Sequence, residues 1–418
     1  DNGGTGSARD FFVNNSMGQF TPEFDVYGPV TLPQKRAYYG GNDTFGNDKN
    51  PEMMVVHACE ILDDDVDFSQ YDTDGDGFID NVYVFYAGKG EADGGGAQTV
   101  WPHSWDLAYG RPGKKYIHDG VQLNHYACSN EIDNQTQLPD GIGTFVHEFS
   151  HVLGLPDLYA TTYNSSFTPG AFSTLDYGPY NDNGRTPPHY SAYERYALDW
   201  MEPTLLTPSE EDAGVYTLEP IDICNQAFLV QTENDNEYFL IENRQWQNND
   251  RFIPGHGMIV WHIDYDEDVW GANTVNNTPT HQRVDLVEAD NVKTEATRKN
   301  DPFPGGKNKT EFTPDTKPAF VSWKKASLDM AIVNITEDEE TGLITFELNP
   351  EKKSNSITEI SGNGWRIEAS TLTAGSENID VYDFTGRNVA RVNAGASATL
   401  PSGFYIIKTA SGSQKVRF

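Results

Sequence analysis

Basic residues are scarce in this chain. Its 418 residues hold 29 Lys and Arg against 63 Asp and Glu, a formal net charge of −34. A surface of that sign repels nucleic acid and anionic membrane surfaces, so neither is an expected partner. Cysteine is scarcer still, with three, at Cys59, Cys128 and Cys224. An odd count excludes a full disulfide framework, and small buried thiols are expected instead. Long apolar runs are missing: no stretch approaches the roughly 18 residues of a membrane span. An initiator Met and a signal peptide are also missing, so the chain reads as a processed or trimmed product with an upstream segment out of view. Neither an internal repeat nor a low-complexity run is found.

Aromatic residues, Gly, Asn and Asp are plentiful and point to many strands and turns. Up to about residue 203, helix and strand signals alternate. PEMMVVHACEILDD (51–64) has the 3.6-residue apolar period of a helix. VYVFYAG (82–88) and VQLNHYAC (121–128) read as strands. IGTFVHEFSHVLG (142–154) reads as a helix stopped by Gly154 and Pro156. PHYSAYERYALDWM (188–201) reads as another, with a capping box over Ser191–Glu194. From 204 the chain turns β-rich: GVYTLEPI, QAFLVQTE, EYFLIENRQ, GMIVWHIDY and GLITFELN are strand segments. A polar break, PEKKSNS, follows near 350. Beyond it WRIEAS, NIDVYDF, ATLPSGF, YIIKTA and QKVRF predict a small β-sandwich. The expectation is an α+β chain of three domains: 1–203, a β-rich 204–350 packed on it, and 356–418.

HEFSHVLGLPD (147–157) carries the chemistry. On a helix, residues four apart share a face, so His147 and His151 can offer two imidazoles to one zinc ion. Glu148 sits beside them as a general base for a metal-activated water. Gly154 can take a positive φ and turn the chain back, which brings Asp157 in as a third ligand. The bland reading is an ordinary amphipathic helix that happens to hold two histidines.

FSTLDYG (172–178) follows. H-E-x-x-H-x-x-G with a ligand three residues on, and then a Ser-x-Met-x-Tyr turn, is the metzincin pattern, which this chain resembles. More narrowly, HEFSHVLGLPDLY, LDYGPYNDNGRTPPHYSAYERYALDWM and DTDGDGFIDNVYVFYAGKGEADGG are similar to the immune-inhibitor-A-type metalloproteases. The likeness extends through GMIVWHIDYD and HQRVDLVEAD to about 349. It implies a metzincin-like catalytic domain and a zinc endopeptidase acting on proteins or peptides. Leu175 departs from the pattern, which has methionine there as an apolar floor under the metal. Leu has a similar volume, so the exchange is expected to cost less than about 1.5 kcal/mol. Tyr177 matches the tyrosine that, in some metzincins, approaches zinc or the developing oxyanion.

Two further segments carry expectations. DTDGDGFID (72–80) sets Asp72, Asp74, Asp76 and Asp80 at the spacing of a calcium loop, with glycines at the bends. Position twelve is Tyr83 and a strand follows, so it is not an intact EF-hand. The tail resembles the sorting domain of the type IX secretion system in IDVYDFTGRNV, LPSGFYIIKT and QKVRF. That resemblance implies a secretion-machinery partner and a secreted or cell-surface-attached protein. The alternatives to a secreted zinc endopeptidase are a non-catalytic, calcium-stabilised adhesion protein and a zinc hydrolase acting on another bond.

Overall fold

The computed structural model describes residues 6–162, 164–209, 211–349 and 360–417, apart from 363, 369–370, 384–385, 402–403 and 411. The chain divides into two compact units, 1–349 and 350–418. The polar break near 350 lies outside the described residues.

Within the first unit, a three-stranded sheet runs in the order Val82–Tyr86, His125–Asn130, His103–Asp106. The first pair is parallel, and the edge strand His103–Asp106 is antiparallel to its neighbour. The stretch expected as one strand over 121–128 is broken at Asn124. Val121–Leu123 pairs with Tyr116–His118, and His125 begins the strand of the main sheet. Asn124 makes the break, because its carbonyl and side-chain oxygens accept the N–H groups of Leu107 and Ala108.

A five-stranded sheet follows, in the order Val284–Leu286, Gly257–Asp264, Glu237–Arg244, Phe228–Gln231, Thr204–Leu206. Every residue of Gly257–Asp264 is buried, because both faces of this sheet are covered. Alternation divides the strand. Ile259, Trp261 and Ile263 pack with Val146, Leu158, Leu175, Tyr190 and Tyr193 of the first two hundred residues. Met258 and Val260 face the sheet Ile332–Glu337, Ile344–Leu348, Gly214–Leu218 through Ile332, Ile344 and Phe346. Burying one such large side chain stabilises by roughly 1.5–3 kcal/mol. The composition changes at 203/204, yet the core crosses it.

Several charged groups buried with that core are paired. Glu242 accepts from Trp261 Nε1 at 2.9 Å and from the Ala192 N–H at 2.5 Å, and it pairs with Arg244 at 3.2 Å. Arg244 in turn makes two bonds to Asp250, at 2.5 and 2.6 Å. All three cysteines are free, two of them buried, as expected. The second unit holds two four-stranded antiparallel sheets that share one apolar core, including Trp365, Ile367, Leu372, Ile379, Val381 and Ile407. Strands Thr371–Ala374 and Asn388–Val392 there are additional to the sequence reading.

Candidate metal centre

The His-bearing helix spans Gly143–Val152. Two glycines fix its ends. A Cβ on Gly143 would lie 2.0 Å from Pro179 O, so only glycine lets the helix start against the 178–184 turn. Gly154 has φ +96°. Its N–H bonds to His151 O at 2.9 Å, and the Leu155 N–H bonds to Ser150 O at 3.1 Å. That pair of bonds is a Schellman cap, which ends the helix and reverses the chain.

The reversal sets the metal face. His151 Nδ1 bonds to Leu155 O at 2.7 Å, and His147 Nδ1 bonds to Thr174 O at 2.8 Å. Carbonyls only accept, so both Nδ1 atoms carry the proton and both Nε2 lone pairs are free to ligate. The two Nε2 atoms are 3.3 Å apart, and Asp157 Oδ1 is 3.2 Å from each. Three ligand atoms bound tetrahedrally to one zinc at about 2.0–2.1 Å lie about 3.3 Å from one another. Asp157 is 5 % exposed, and its Oδ1 has no hydrogen-bond donor. The residues therefore fit a zinc ion, with two neutral nitrogens and one hard oxygen at the right separations.

The electrostatics agree. Burial opposes charge on His147, but the Asp157 carboxylate outweighs it and raises the imidazole to about 9. His151 is raised against burial for the same reason. Asp157 is buried, yet the two imidazoles hold it far below the carboxylate range. The group demands positive charge, which protons or one cation can supply. Glu148 is buried beside it. Burial raises its pKa, while His147, His151 and the Ser104 backbone on the edge strand pull the other way.

The turn after the third ligand supports this group. Leu175 is fully buried, and its carbonyl accepts the Leu158 N–H at 2.8 Å. Ser173 Oγ accepts the Leu175 N–H at 3.0 Å and donates to Glu194 at 2.6 Å. Glu194 belongs to the capping box that starts the Ala192–Ala197 helix at Ser191, where the sequence places it. That helix is shorter than 188–201, because Asp199 at φ +56° ends it. Tyr177 is 62 % exposed on the cleft wall. Tyr180 stands beside it, with ring centroids 6.2 Å apart. Burial first, then the Glu148 charge, pushes the Tyr180 phenol up to about 12.

Asn273, Trp270 and Tyr180 are absent from the sequence reading. Asn273 Nδ2 donates to Asp157 Oδ2 at 2.7 Å, and its Oδ1 accepts the Asp157 N–H at 2.8 Å. Asn276 Nδ2 donates to Leu158 O at 2.8 Å, and Asn277 Nδ2 to Thr161 Oγ1 at 2.9 Å. The asparagine-rich GANTVNN was the available signal. The cleft encloses about 830 Å³ and is lined by Trp105, Glu148, Tyr177, Tyr180, Trp270 and Asn273 among others. A larger hollow of about 1940 Å³ beside the 22–34 segment contains none of the three ligands, so size does not identify the site.

The acidic loop is partly assembled. Asp72, Asp74 and Asp76 bring carboxylate oxygens within 4.8 Å of one another. Asp80 is engaged elsewhere: it accepts the Thr73 N–H at 3.1 Å and the Thr73 hydroxyl at 2.6 Å.

Residues 1–202 match the Immune inhibitor A peptidase M6 catalytic domain. The chain is 29% identical over 211 residues to Immune inhibitor A of Bacillus thuringiensis subsp. alesti, which covers 44% of this chain and 30% of that protein. It is 28% identical over 193 residues to the pre-pro-metalloprotease PrtV of Vibrio cholerae serotype O1 (strain M66-2), covering 40% of this chain and 20% of that one. The chain thus spans under a third of the length of either relative.

Proposed function

We propose that this chain is a secreted zinc-dependent endopeptidase. The observation that carries the reading is the triangle of His147 Nε2, His151 Nε2 and Asp157 Oδ1, with sides of 3.2–3.3 Å, beside buried Glu148 in an open cleft. The peptidase M6 match over 1–202 supports the same reaction class. Zinc bound there supplies Lewis acidity for a water and a peptide carbonyl. Glu148 takes the proton from the water, and its burial keeps that proton available for the leaving amine. Tyr177 donates to the developing oxyanion from the cleft wall. His103–Asp106, an edge strand among the described residues, gives an extended peptide a backbone to pair with beside Glu148.

Asp72, Asp74 and Asp76 hold a stabilising calcium ion in this reading, with Asp80 bracing the loop through Thr73. Residues 204–350 form a β-rich part packed on the catalytic region, and 356–418 an export domain for type IX secretion. Among the described residues no helix is long and apolar enough to cross a membrane.

Casein hydrolysis by the purified chain, with and without a zinc chelator, tests the reading. Hydrolysis should vanish with chelator and return with added zinc. Chelator-resistant hydrolysis, or none in a chain loaded with one zinc, would overturn it.

A further inference from the structure

A second buried carboxylate lacks what its chemistry requires. Asp301 is 0% exposed, and neither of its carboxylate oxygens has a hydrogen-bond partner. It is alone among the described carboxylates in having both oxygens in that state. Asp48, Asp72, Asp93, Asp157 and Asp176 each leave one oxygen in that state.

The surroundings are short of positive charge. Glu288, 6% exposed, is the charge acting most strongly on Asp301, followed by Arg298 and Asp290. Arg298 is engaged by Glu295 and by the carbonyls of Thr168 and Pro169 at 3.0 and 2.9 Å. Lys293 sits on Asp285 at 3.0 Å and reaches Glu288 at 3.5 Å. Asp285, Glu288, Asp290 and Asp301 therefore share two cations, Lys293 and Arg298, and Arg298 also pairs with Glu295. The backbone brings these acidic segments together. The Ala289 N–H donates to Asp301 O at 2.9 Å, which sets Asp301 beside Glu288, and Asn300 Nδ2 donates to Asp290 Oδ2 at 3.4 Å. Carboxylates mixed with carbonyl and amide oxygens are the ligands calcium takes, six to eight at a time.

We propose that Asp301 and Glu288 form a buried calcium site separate from both the zinc triad and the 72–80 loop. Burial pushes Asp301 up to about 8 and Glu288 up to about 7 when no cation is present, so calcium displaces protons there on binding. The site is structural. Arg298, three residues before Asp301, holds Thr168 O and Pro169 O, and the next residue, Gly170, donates its N–H to Asp176 in the turn under His147. A cation at Asp301 thus braces the segment that leads to the metal centre. The inference holds whether or not the cleft cuts peptides.

Equilibrium dialysis of the zinc-loaded full chain against radioactive calcium tests it. Asp301→Asn should lose one calcium per chain, or bind it at least 100-fold more weakly. A chain carrying Asp74→Ala and Asp76→Ala should keep that calcium. Glu288→Gln, which retains shape and removes one charge, should weaken the same site at least 10-fold and serves if Asp301→Asn does not fold. Calcium binding unchanged in number and affinity in Asp301→Asn, or in Glu288→Gln, would overturn the proposal. So would a wild-type chain whose only calcium disappears with the loop variant.

Discussion

Asn273 and Asp157 hold each other at two points across 116 positions of sequence: Asn273 Nδ2 donates to Asp157 Oδ2 at 2.7 Å, and the Asp157 N–H donates to Asn273 Oδ1 at 2.8 Å. The β-rich part therefore aims the third ligand at the two histidines. Asn273→Ala should weaken zinc by roughly 10–100-fold, the usual cost of losing a partner that orients a ligand. Chelator competition reads this directly. Unchanged zinc affinity would mean that the 154–158 turn alone sets Asp157.

The same contact bears on domain truncation. Residues 1–203 alone lack Asn273 and the Ile259, Trp261 and Ile263 face on which Val146 and Leu175 pack. That fragment should fail to fold cooperatively and should hold no zinc. By contrast, removal of 353–418 should leave proteolysis intact, because 1–349 is a compact unit by itself. In a host with type IX secretion it should stop export. Thermal melts and casein assays on both fragments decide the matter.

Much of this centre was legible because its ligands are local. A helix places His147 and His151 on one face, Gly154 permits the reversal, and Asp157 follows within three residues. The Schellman cap and the Ser191–Glu194 capping box obey the same short-range rules. What could not be read is held by long-range pairing. The asparagine run around Asn273 does not say that it faces Asp157, and nothing near Ser104 announces that its backbone faces Glu148. Asn124 illustrates the limit inside one strand: its alternating neighbours predict continuity, but its oxygens bond to residues 107 and 108. In the tail, Thr371–Ala374 and Asn388–Val392 are short and polar on one side, too weak a pattern to stand out.

Leu175 is fully buried in the main core, and its backbone holds Leu158. Leu175→Met keeps the volume and the backbone bond. It should change stability by less than about 1.5 kcal/mol and leave turnover within a few-fold. A large gain in turnover would show that leucine weakens this centre.

Tyr177 and Tyr180 stand side by side on the cleft wall, and their roles can be separated. Tyr177→Phe should lower kcat by about 100–1000-fold with little change in KM, as expected when one oxyanion donor is lost. Tyr180→Phe should cost less, although its phenol feels the Glu148 charge. The reverse order of losses would move the oxyanion role to Tyr180.

The central claim is that metal binding and proton transfer lie on different residues of one helix turn: His147 and His151 with Asp157 for the first, Glu148 for the second. The most direct measurement is casein turnover by Glu148→Ala protein whose zinc content has been determined. The account predicts one zinc per chain and a turnover loss of about 100-fold or more. Wild-type turnover in that zinc-loaded variant would contradict it.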